Sequence, residues 1–480
     1  MEPMKFTNIS IFGSKDAVPR SQRKASGKAL RKQVPLESHG VWKPAQNRPN
    51  PLSLLQAQDE GRLQHLLPIK YGRMLASPFA FLRGSAVVMA ADLAATPVMG
   101  IQTLLCGDAH LANFGLFATP ERKLVFDIND FDEAFPGPWE WDLKRLAASA
   151  VVAGREIGLS RKACRDIAVT ISRTYSDAMK RFSEMHTLNV WYYTVDADAI
   201  LEVFQLSSSE KGKRTAEKTI VKARSKTQER TLEQLTTVEN GQQHIISNPP
   251  LLVPMNEMDF SQFLNPDELK RMSDDFVEDA WSQYLESLPD ERRFLLLRFH
   301  ILDSALRVGG VGSVGTRCFI ALLQGGAEDE FLMLQLKEAG RSVLEDYVPK
   351  RLHVQPARRV VTAQRLMQAA SDMFLGWHTG PVKQVDYYWR QFKDMKGSFD
   401  VTNMDKSSFR VYVTVCSWCL ARAHARTSDA SSISGYLGSG KSFAKAIGDF
   451  AVAYADQTVR DYQALVEAVR SGHIQAKTGI

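Results

Sequence analysis

The sequence has few cysteines and no apolar run long enough to cross a membrane. Its five cysteines form an odd number without the paired spacing of a metal-binding cluster, and Cys416 and Cys419 lie within an apolar helical run. This pattern excludes a zinc cluster and a disulfide framework. No stretch approaches the roughly 20 apolar residues that a membrane-spanning helix requires. We therefore expect a soluble cytoplasmic protein with reduced thiols.

The chain also lacks a strong excess of charge, and much of its formal net charge of +6 lies near the beginning. The segment from Lys15 to Lys43 is rich in Arg, Lys and Ser and poor in apolar periodicity. Such a composition buries too little apolar surface to fold, so residues 1–47 are predicted to form a disordered basic leader. A basic leader can contact nucleic acid, but a solvated tail is the default interpretation.

The most informative segment, residues 106–146, places several carboxylates in apolar surroundings. It reads CGDAHLANFGLFATPERKLVFDINDFDEAFPGPWEWDLKRL, and its candidate ligands are Asp108, Asn113, Asp127, Asp130 and Asp132. Gathering these like charges in one cleft is costly without a compensating cation. Hard oxygen ligands without a Cys/His cluster suit Mg²⁺ shared with phosphate groups. Phosphoryl chemistry with Mg²⁺ is therefore the first hypothesis.

The order of these residues matches the catalytic segment of kinases. In that template an Asp accepts the proton of the substrate hydroxyl, a following Asn holds a metal, and a later Asp holds metal on the phosphates. Asp108, Asn113 and Asp130 fit these positions. The segment resembles the aminoglycoside and choline kinases, whose loop reads H-G-D-x-H-x-x-N, although Cys106 stands where they have the first His. The resemblance implies catalytic roles for Asp108 and His110.

Two registers are open for the aspartate that holds metal on the phosphates. Asp127 lies closer to the usual distance from Asn113, whereas the Asp-Phe-Asp that begins at Asp130 better imitates Asp-Phe-Gly. We favour Asp130. Asp142 matches a second Asp that these kinases carry at the start of a helix, and it is predicted to be an anchor there. The alternative for all these acids is that they cap turns and pair with Arg and Lys on a solvated surface.

Candidate phosphate-binding residues occur downstream of this segment. Within RVGGVGSVGTRCFIALLQG, Gly310, Gly312 and Gly315 form a glycine-rich pattern, and Lys337 ends a later apolar run as the kinase β3 lysine does. Glycines let the backbone approach phosphates, and lysine places a point charge on them. A simple hairpin turn and a surface lysine are the alternatives. The preceding segment, FHILDSALRVGG, is predicted to be helical rather than extended.

Two further residues have candidate roles in binding the cofactor. Glu345 is predicted to pair with Lys337, as a helix glutamate does in kinases, with Glu338 and the helix containing Gln364 as alternatives. Arg83 lies in a segment rich in Met, Phe and small residues, where a buried arginine needs an acidic or phosphate partner. Phosphate binding and structural pairing are equally compatible with that position.

A competing motif lies at residues 435–442, where GYLGSGKS satisfies the Walker A pattern letter for letter. A phosphate loop of this type follows a buried strand and opens a helix. Here a helix end and a polar tract come before it, and no apolar strand does. We therefore interpret Gly435 and Gly438 as turn residues and Lys441 as a surface charge at a helix start.

The apolar spacing indicates a helix-rich α+β fold, with strands concentrated near residues 101–131 and 315–337. Because the glycine pattern and Lys337 follow the catalytic segment, a kinase-like two-lobe fold would be circularly permuted. We predict a helical catalytic region over residues 48–300, a small nucleotide-binding region over 301–400, and C-terminal helices over 401–480 that complete the helical lobe. The helical run FRVYVTVCSWCLARAHARTSDA resembles the helix that precedes the catalytic loop in aminoglycoside-type kinases.

Several long motifs, in order, resemble the bacterial family catalogued as domain of unknown function 2252. They are SPFAFLRG, CGDAHLANFG, FDINDFDEAFPGPWEWDLKRLAAS, GVGSVGTRC, LQLKEAGRSVLE, RLMQAASDMFLGW, RQFKDMKGS and LARAHARTSDA. The resemblance runs from about residue 48 to about residue 464. The name of the family assigns no activity, so the functional hypothesis depends on the residues described above.

The sequence thus predicts an ATP- and Mg²⁺-dependent phosphotransferase acting on an unknown small-molecule or protein acceptor. Transfer of AMP by the same metal ligands is a related possibility. The alternatives are a non-catalytic nucleotide-binding or scaffold protein and, third, a P-loop ATPase acting through residues 435–442.

Overall fold

The computed structural model describes residues 18–259, 274–348, 354–380 and 385–480. The first part contains α1 (Arg20–Ala29), α2 (Pro51–Asp59), α3 (Leu67–Met74), α4 (Pro78–Gly84), α5 (Ala86–Leu93), β1 (Gln102–Leu105), β2 (Phe114–Ala118), β3 (Leu124–Ile128) and β4 (Phe135–Pro138). Helices then dominate up to residue 235: α6 (Trp139–Glu156), α7 (Arg161–Glu184), α8 (Thr187–Tyr192), α9 (Ala197–Ser207), α10 (Glu210–Arg224) and α11 (Gln228–Leu235).

The second part contains most of the strands. Its elements are β5 (Thr236–Glu239), β6 (Gln242–Ile245), β7 (Leu252–Pro254), α12 (Asp274–Glu286), α13 (Asp290–Leu296), β8 (His300–Arg307), β9 (Cys318–Gln324), β10 (Phe331–Ala339), α14 (Pro356–Met367), β11 (Gly376–Thr379), β12 (Asp386–Gln391), α15 (Lys406–Thr427), α16 (Ala430–Leu437) and α17 (Lys441–Arg470). The expected helix-rich α+β fold is confirmed. In the described part of the chain, no helix combines the length and the apolar character needed to cross a bilayer.

Helix α6 lies at the centre of the helical part. Almost every residue from Trp139 to Gly154 is buried, because α7, α15 and α17 pack around the helix. Its small residues, in the stretch AASAVVAG, let these neighbours approach closely, and the large apolar side chains fill the remaining space. A helix buried on all sides is a rigid support, and the loops of the candidate site rest on its N-terminal half.

Two short antiparallel pairs bring two loops together. Leu105 at the end of β1 pairs with Phe135 at the start of β4, and Phe114 at the start of β2 pairs with Ile128 at the end of β3. The chain between β1 and β2, residues 106–113, therefore lies beside the chain between β3 and β4, residues 129–134. We call these the Asp108 loop and the acidic segment.

A six-stranded antiparallel sheet has the strand order β11-β12-β10-β9-β8-β7. The helix predicted for FHILDSALRVGG is wrong, because His300–Arg307 forms β8 and pairs with β9. A register shift between Ile301 and Asp303 interrupts the regular alternation, which explains why the strand pattern is hard to read from the sequence. Helix α14 packs against β10, β11 and β12.

The described part of the basic leader is folded, so the prediction of disorder is wrong for residues 18–47. Helix α1 packs on α16 so closely that a Cβ on Gly27 would lie 1.9 Å from the Ser432 carbonyl oxygen. Arg31 donates to the Tyr436 carbonyl at 2.6 Å, and His39 hydrogen-bonds the Tyr436 hydroxyl at 2.7 Å. Glycine contacts and polar bonds hold the segment, so its low apolar content was misleading. Residues 1–17 lie outside the described residues.

The Walker-like segment connects two helices. Gly435 lies inside α16 rather than in a turn, whereas Gly438 and Gly440 adopt positive φ angles of 59° and 70° in the connection. Lys441 begins α17 and is exposed, as expected. Helix α16, not a strand, leads directly into this segment, so the strand–loop–helix geometry of a phosphate loop is not formed here.

Candidate functional site

Asp108 contacts one buried arginine and one histidine. Its Oδ1 accepts from Arg145 of α6, whose Nη2 lies 2.6 Å away, and its Oδ2 lies 3.6 Å from His110 Nε2. The Asp108 side chain keeps 17% of its surface exposed, whereas Arg145 is buried. Burial lowers the pKa of His110 to about 3, so its ring is neutral near pH 7. Asp108 therefore presents a partly exposed carboxylate that Arg145 holds in place.

The Asp108 loop is anchored by Asp142, as the sequence predicted for a residue at the start of a helix. Its carboxylate accepts from the backbone N–H groups of Cys106 at 2.8 Å and Gly107 at 3.0 Å. His424 of α15 contacts the same carboxylate at 3.2 Å. Gly107 has a φ of 81°, and a Cβ there would lie 2.1 Å from the Glu133 carbonyl oxygen. Glycine is therefore required where the loop touches the acidic segment.

Asn113 joins the two loops. Its side-chain Nδ2 donates to the Asp108 carbonyl at 2.8 Å, and its carbonyl accepts from the Asn129 N–H at 2.8 Å. These bonds fix the distance between the Asp108 loop and the acidic segment. Asn113 is only partly buried, so its amide oxygen is a possible ligand beside the carboxylates that follow.

Lys337 of β10 contacts the acidic segment. Its Nζ lies 2.5 Å from Asp132 Oδ2 and 3.8 Å from Asp130 Oδ1. The Tyr388 hydroxyl of β12 donates to the other Asp132 oxygen at 2.6 Å. Burial alone would lower the pKa of Lys337, but the two carboxylates outweigh it and hold this pKa well above its usual value. Lys337 therefore remains charged although it is only 5% exposed.

Asp130 is the more open of the two carboxylates, with 38% of its side chain exposed against 28% for Asp132. Burial and the neighbouring Asp132 charge raise the pKa of Asp130. Among the described residues, the contacts of its carboxylate are a bond from the Asp132 N–H at 3.3 Å and the 3.8 Å contact with Lys337. Asp130 is thus positioned to accept a cation from the cleft.

Asp127 lies outside this site. Its Oδ2 contacts Arg422 of α15 at 2.5 Å, and both side chains are only 1% exposed. The same oxygen accepts from the Ala369 N–H at 2.8 Å, and the other from the N–H of Ile128 at 2.9 Å. Its carboxylate is therefore satisfied by the protein and does not face Lys337. Of the two registers left open by the sequence, the one with Asp130 brings the carboxylate to the cleft.

The glycine-rich segment forms a loop between β8 and β9, which we call the glycine loop (residues 308–317). Gly310 and Gly315 adopt positive φ angles of 69° and 89°. Arg73 donates to the Gly310 carbonyl, and Arg62 to the Gly312 carbonyl, both at 2.6 Å. The loop is therefore held by arginines that precede and follow the start of α3.

Arg83 lies between the glycine loop and the Asp108 loop. A Cβ on Gly312 would lie 3.3 Å from the Arg83 carbonyl oxygen, and the guanidinium of Arg83 senses the charge of Asp108. Its Nε is buried and has no hydrogen-bond partner among the described residues. An arginine in this state suits a phosphate or carboxylate oxygen of a ligand.

The predicted pairing of Glu345 with Lys337 is wrong. Glu345 accepts from the Ser342 N–H at 2.9 Å and pairs with Arg341 at 3.2 Å. The alternative Glu338 pairs with Arg317 instead. The chain turns directly after β10, so Glu345 caps that turn and cannot reach back along the strand.

Sequence reasoning also missed residues that complete the site. Asp132 was noted as an acid but not as the partner of Lys337. Arg145 and Tyr388 had no motif to mark them, because each meets the loops only through the tertiary fold. The charges of Asp130 and Asp132 likewise act on Arg390 of β12 and help to raise its pKa. For Tyr388 and Arg390, the only sequence signal was the regular strand pattern around residues 386–391, which indicates a strand but not what it contacts.

The donor set fits Mg²⁺ better than a transition metal. The described residues contain no group of three or more His, Cys, Asp or Glu arranged to hold a metal ion. Mg²⁺ often uses one or two carboxylates and takes its other ligands from water and substrate phosphates. Asp130 and the Asn113 amide could supply the protein ligands of such an ion, whereas both oxygens of Asp132 are bound by Lys337 and Tyr388.

The fold and the site define a helix-rich α+β protein with a cleft where carboxylates meet a buried lysine. The chain belongs to the family described as uncharacterized proteins conserved in bacteria, domain of unknown function 2252, whose model matches residues 62–468. This confirms the family resemblance; the family description names no activity. No curated protein and no solved structure matches the chain at a significant level.

Proposed function

We propose that this protein is an ATP- and Mg²⁺-dependent phosphotransferase with a kinase-like, circularly permuted two-lobe fold. The observation that carries the proposal is the contact of Lys337 with Asp130 and Asp132, beside the Asp108 loop. A phosphate-binding lysine, metal-binding carboxylates and a catalytic Asp are the parts that kinase chemistry requires together.

The order of elements around Lys337 supports the small lobe. The glycine loop joins β8 to β9, Lys337 lies in the next strand β10, and α14 follows before β11 and β12 complete the sheet. In kinases a glycine-rich loop, a strand lysine and a packed helix follow one another in the same way. One difference is that α14, PARRVVTAQRLM, contains no glutamate, and Asp132 takes the place of the usual lysine partner.

The position of α15 supports the permutation. This helix comes after the sheet in the chain, yet its Arg422 and His424 contact Asp127 and Asp142 around the Asp108 loop. A helix that would precede the catalytic loop in an ordinary kinase thus packs on that loop from the C-terminal side of the sequence. Active-site geometry does not depend on chain order.

In the proposed mechanism Asp108 orients the acceptor hydroxyl and accepts its proton. Asn113 and Asp130 would hold Mg²⁺, which supplies charge stabilisation on the phosphates when bound. The glycine loop brings backbone groups near the phosphates, and Lys337 with Arg83 compensates their charge. Transfer of AMP instead of the γ-phosphoryl group uses the same residues and stays within the proposal.

A second candidate is a non-catalytic nucleotide-binding protein. The observation that favours it is the 2.6 Å ion pair between Arg145 and Asp108, because an acceptor hydroxyl would have to compete with Arg145 for this carboxylate. Such a protein would bind nucleotide through the acidic segment and Lys337 without turning it over.

The experiment that tests the proposal is the analysis of nucleotide products by ³¹P NMR with ATP, Mg²⁺ and a panel of hydroxyl-bearing acceptors. ADP formation indicates phosphoryl transfer and AMP formation indicates nucleotidyl transfer. We expect Asp108→Asn and Lys337→Ala each to lower the rate by at least 100-fold. Turnover that both variants leave unchanged would contradict the proposal, and binding without turnover would favour the non-catalytic candidate.

A further inference from the structure

A second group of cationic residues lines a cavity beside the acidic segment. The cavity, which we call the β12 cavity, has a volume of about 140 Å³ and lies among the tip of the β2–β3 hairpin, α14 and the chain that follows β12. Its lining includes Arg390, Lys393 and Lys396, together with the amides of Gln364 and Asn129. Asn129 directly precedes Asp130, so this cavity adjoins the candidate site.

The two carboxylates of the cavity lining, Asp372 and Asp394, each have a partner among the described residues. Asp372 accepts from the N–H groups of Phe374 and Gln391, each at 2.7 Å. Asp394 forms an ion pair with Arg122 of the hairpin. The charge of Arg390 acts on Asp372, and Asp394 Oδ1 has no hydrogen-bond partner among the described residues, so the two acids offset part of the positive charge. The lining still holds four basic side chains against two acidic ones.

Those remaining cations have weak or no partners within the described part of the protein. Arg390 Nε donates to the neutral Gln335 amide at 3.0 Å, and the Lys393 ammonium lies 5.2 Å from the centroid of the Phe392 ring. Lys396 has no hydrogen bond or ion pair to any residue that the structure describes. Three cationic side chains thus share one small polar cavity, and the charge of the neighbouring Asp130 acts on two of them, Arg390 and Lys396.

Both lysines experience repulsion from nearby cations, which for Lys396 include Arg390. The charge of Arg390, together with burial, lowers the pKa of Lys396 to about 7. Burial and the charges of Arg307 and Lys226 lower the pKa of Lys393. An anion in the cavity would relieve this repulsion, because opposite charge favours the protonated form of each lysine.

We propose that the β12 cavity binds phosphate groups of a polyphosphate chain. Several cations in a small space match an anion with several charges better than a single carboxylate, and the Gln364 amide adds a neutral donor. This inference rests on the proposed function and extends it, since the polyphosphate would run from Lys337 into the β12 cavity. The phosphates come either from the nucleotide itself or from a phosphorylated acceptor.

The test measures binding of inorganic tripolyphosphate to the full chain by calorimetry, without Mg²⁺. We expect wild type to bind tripolyphosphate and the double variant Lys393→Gln/Lys396→Gln to bind at least 10-fold more weakly. The single variant Gln364→Glu, which places a carboxylate in the cavity and removes no cation, should weaken binding as well. Lys445→Gln is the matched control, because Lys445 is an exposed lysine on α17 outside the cavity lining.

Competition with ATP identifies the source of the phosphates. If tripolyphosphate displaces ATP, the cavity holds the phosphates of the nucleotide. If both ligands bind together, the cavity holds the phosphate of an acceptor. Either result supports the inference. Absence of tripolyphosphate binding, or equal binding by wild type and both cavity variants, overturns it. Because this assay needs neither Mg²⁺ nor turnover, its result is separate from that of the proposed phosphotransferase.

Discussion

Asp127 and Asp130 are three residues apart, yet the fold gives them opposite surroundings. Asp127 ends in the interior, with Arg422 and two backbone N–H groups as partners and 1% of its side chain exposed. Asp130 lies in the acidic segment with 38% of its side chain exposed. Its closest cation, Lys337, is 3.8 Å away. The first carboxylate is fully satisfied by the protein, and the second has room for a ligand.

The comparison teaches that the partners of a carboxylate, and not its place in a motif, indicate its role. Both residues belong to the segment FDINDFDE and both were candidates for one metal position. Asp127 lies in β3, where it faces α15, whereas Asp130 comes after the strand has ended, where the chain turns toward β10. We therefore expect changes at the two positions to separate stability from ligand binding.

The largest effect is expected from breaking the Asp127 pair. Arg422→Ala leaves an uncompensated buried carboxylate and should lower the free energy of unfolding by about 3–5 kcal/mol. Urea denaturation measures the loss. The matched control is Arg161→Ala, which breaks a pair with Asp456 whose arginine is 67% exposed, and should cost less than about 1 kcal/mol. If both variants lose a similar free energy of unfolding, the proposed difference between the buried Asp127 and the more exposed Asp456 is contradicted.

The next effect is expected at the anchor of the Asp108 loop. Asp142→Ala leaves the N–H groups of Cys106 and Gly107 without their acceptor, which should cost about 1–3 kcal/mol. Nucleotide binding should weaken as well, because the loop loses its position relative to the acidic segment. Urea denaturation and calorimetry measure the two losses. A variant with wild-type stability and binding would show that the anchor is dispensable.

A smaller effect extends the comparison to a buried group that stays neutral. Burial, with the nearby Lys144 charge, lowers the pKa of His39 to about 3. Below about pH 6.5 the unfolded chain takes up a proton that folded His39 does not, so stability falls as the pH falls. This residue alone contributes up to about 1.4 kcal/mol per pH unit in that range. The dependence of unfolding free energy on pH between 7 and 5 should be less steep in His39→Gln, and equal slopes would contradict the assignment.

The smallest effect on stability is expected at Asp130. Asp130→Asn removes one of two like charges at a partly exposed position, so the free energy of unfolding should change by less than about 1 kcal/mol. The same substitution should abolish the Mg²⁺ dependence of nucleotide binding, measured by calorimetry with and without the ion. Asp132→Asn, which removes the closest partner of Lys337, should instead affect both quantities.

The sequence predicted the parts of this protein that depend on local pattern. The helix-rich α+β class, the position of Asp142 at the start of a helix and the strand that ends near Lys337 follow from apolar spacing and motif order. The partner of Lys337 did not follow, because Asp132 reaches it only when the acidic segment folds against the sheet. The three cations of the β12 cavity lie close together in the sequence, within residues 390–396, but the rest of the lining comes from α14 and from a hairpin more than 260 residues earlier.

Two of the wrong predictions, the disordered leader and the helix in place of β8, have a common cause. The described part of the leader and β8 have little apolar periodicity, so composition suggested disorder for one and a helix for the other. Glycine contacts with α16 hold α1, and pairing with β9 holds the bulged β8. Both are tertiary interactions that a local pattern does not contain.

The most direct test of the central claim is a thermal shift measured with ATP and Mg²⁺ on wild type, Asp130→Asn and Lys441→Ala. The account predicts that ATP with Mg²⁺ raises the melting temperature of wild type and of Lys441→Ala and leaves Asp130→Asn unchanged. A shift lost only in Lys441→Ala would point to the segment between α16 and α17 instead. No shift in wild type would contradict nucleotide binding at the acidic segment altogether.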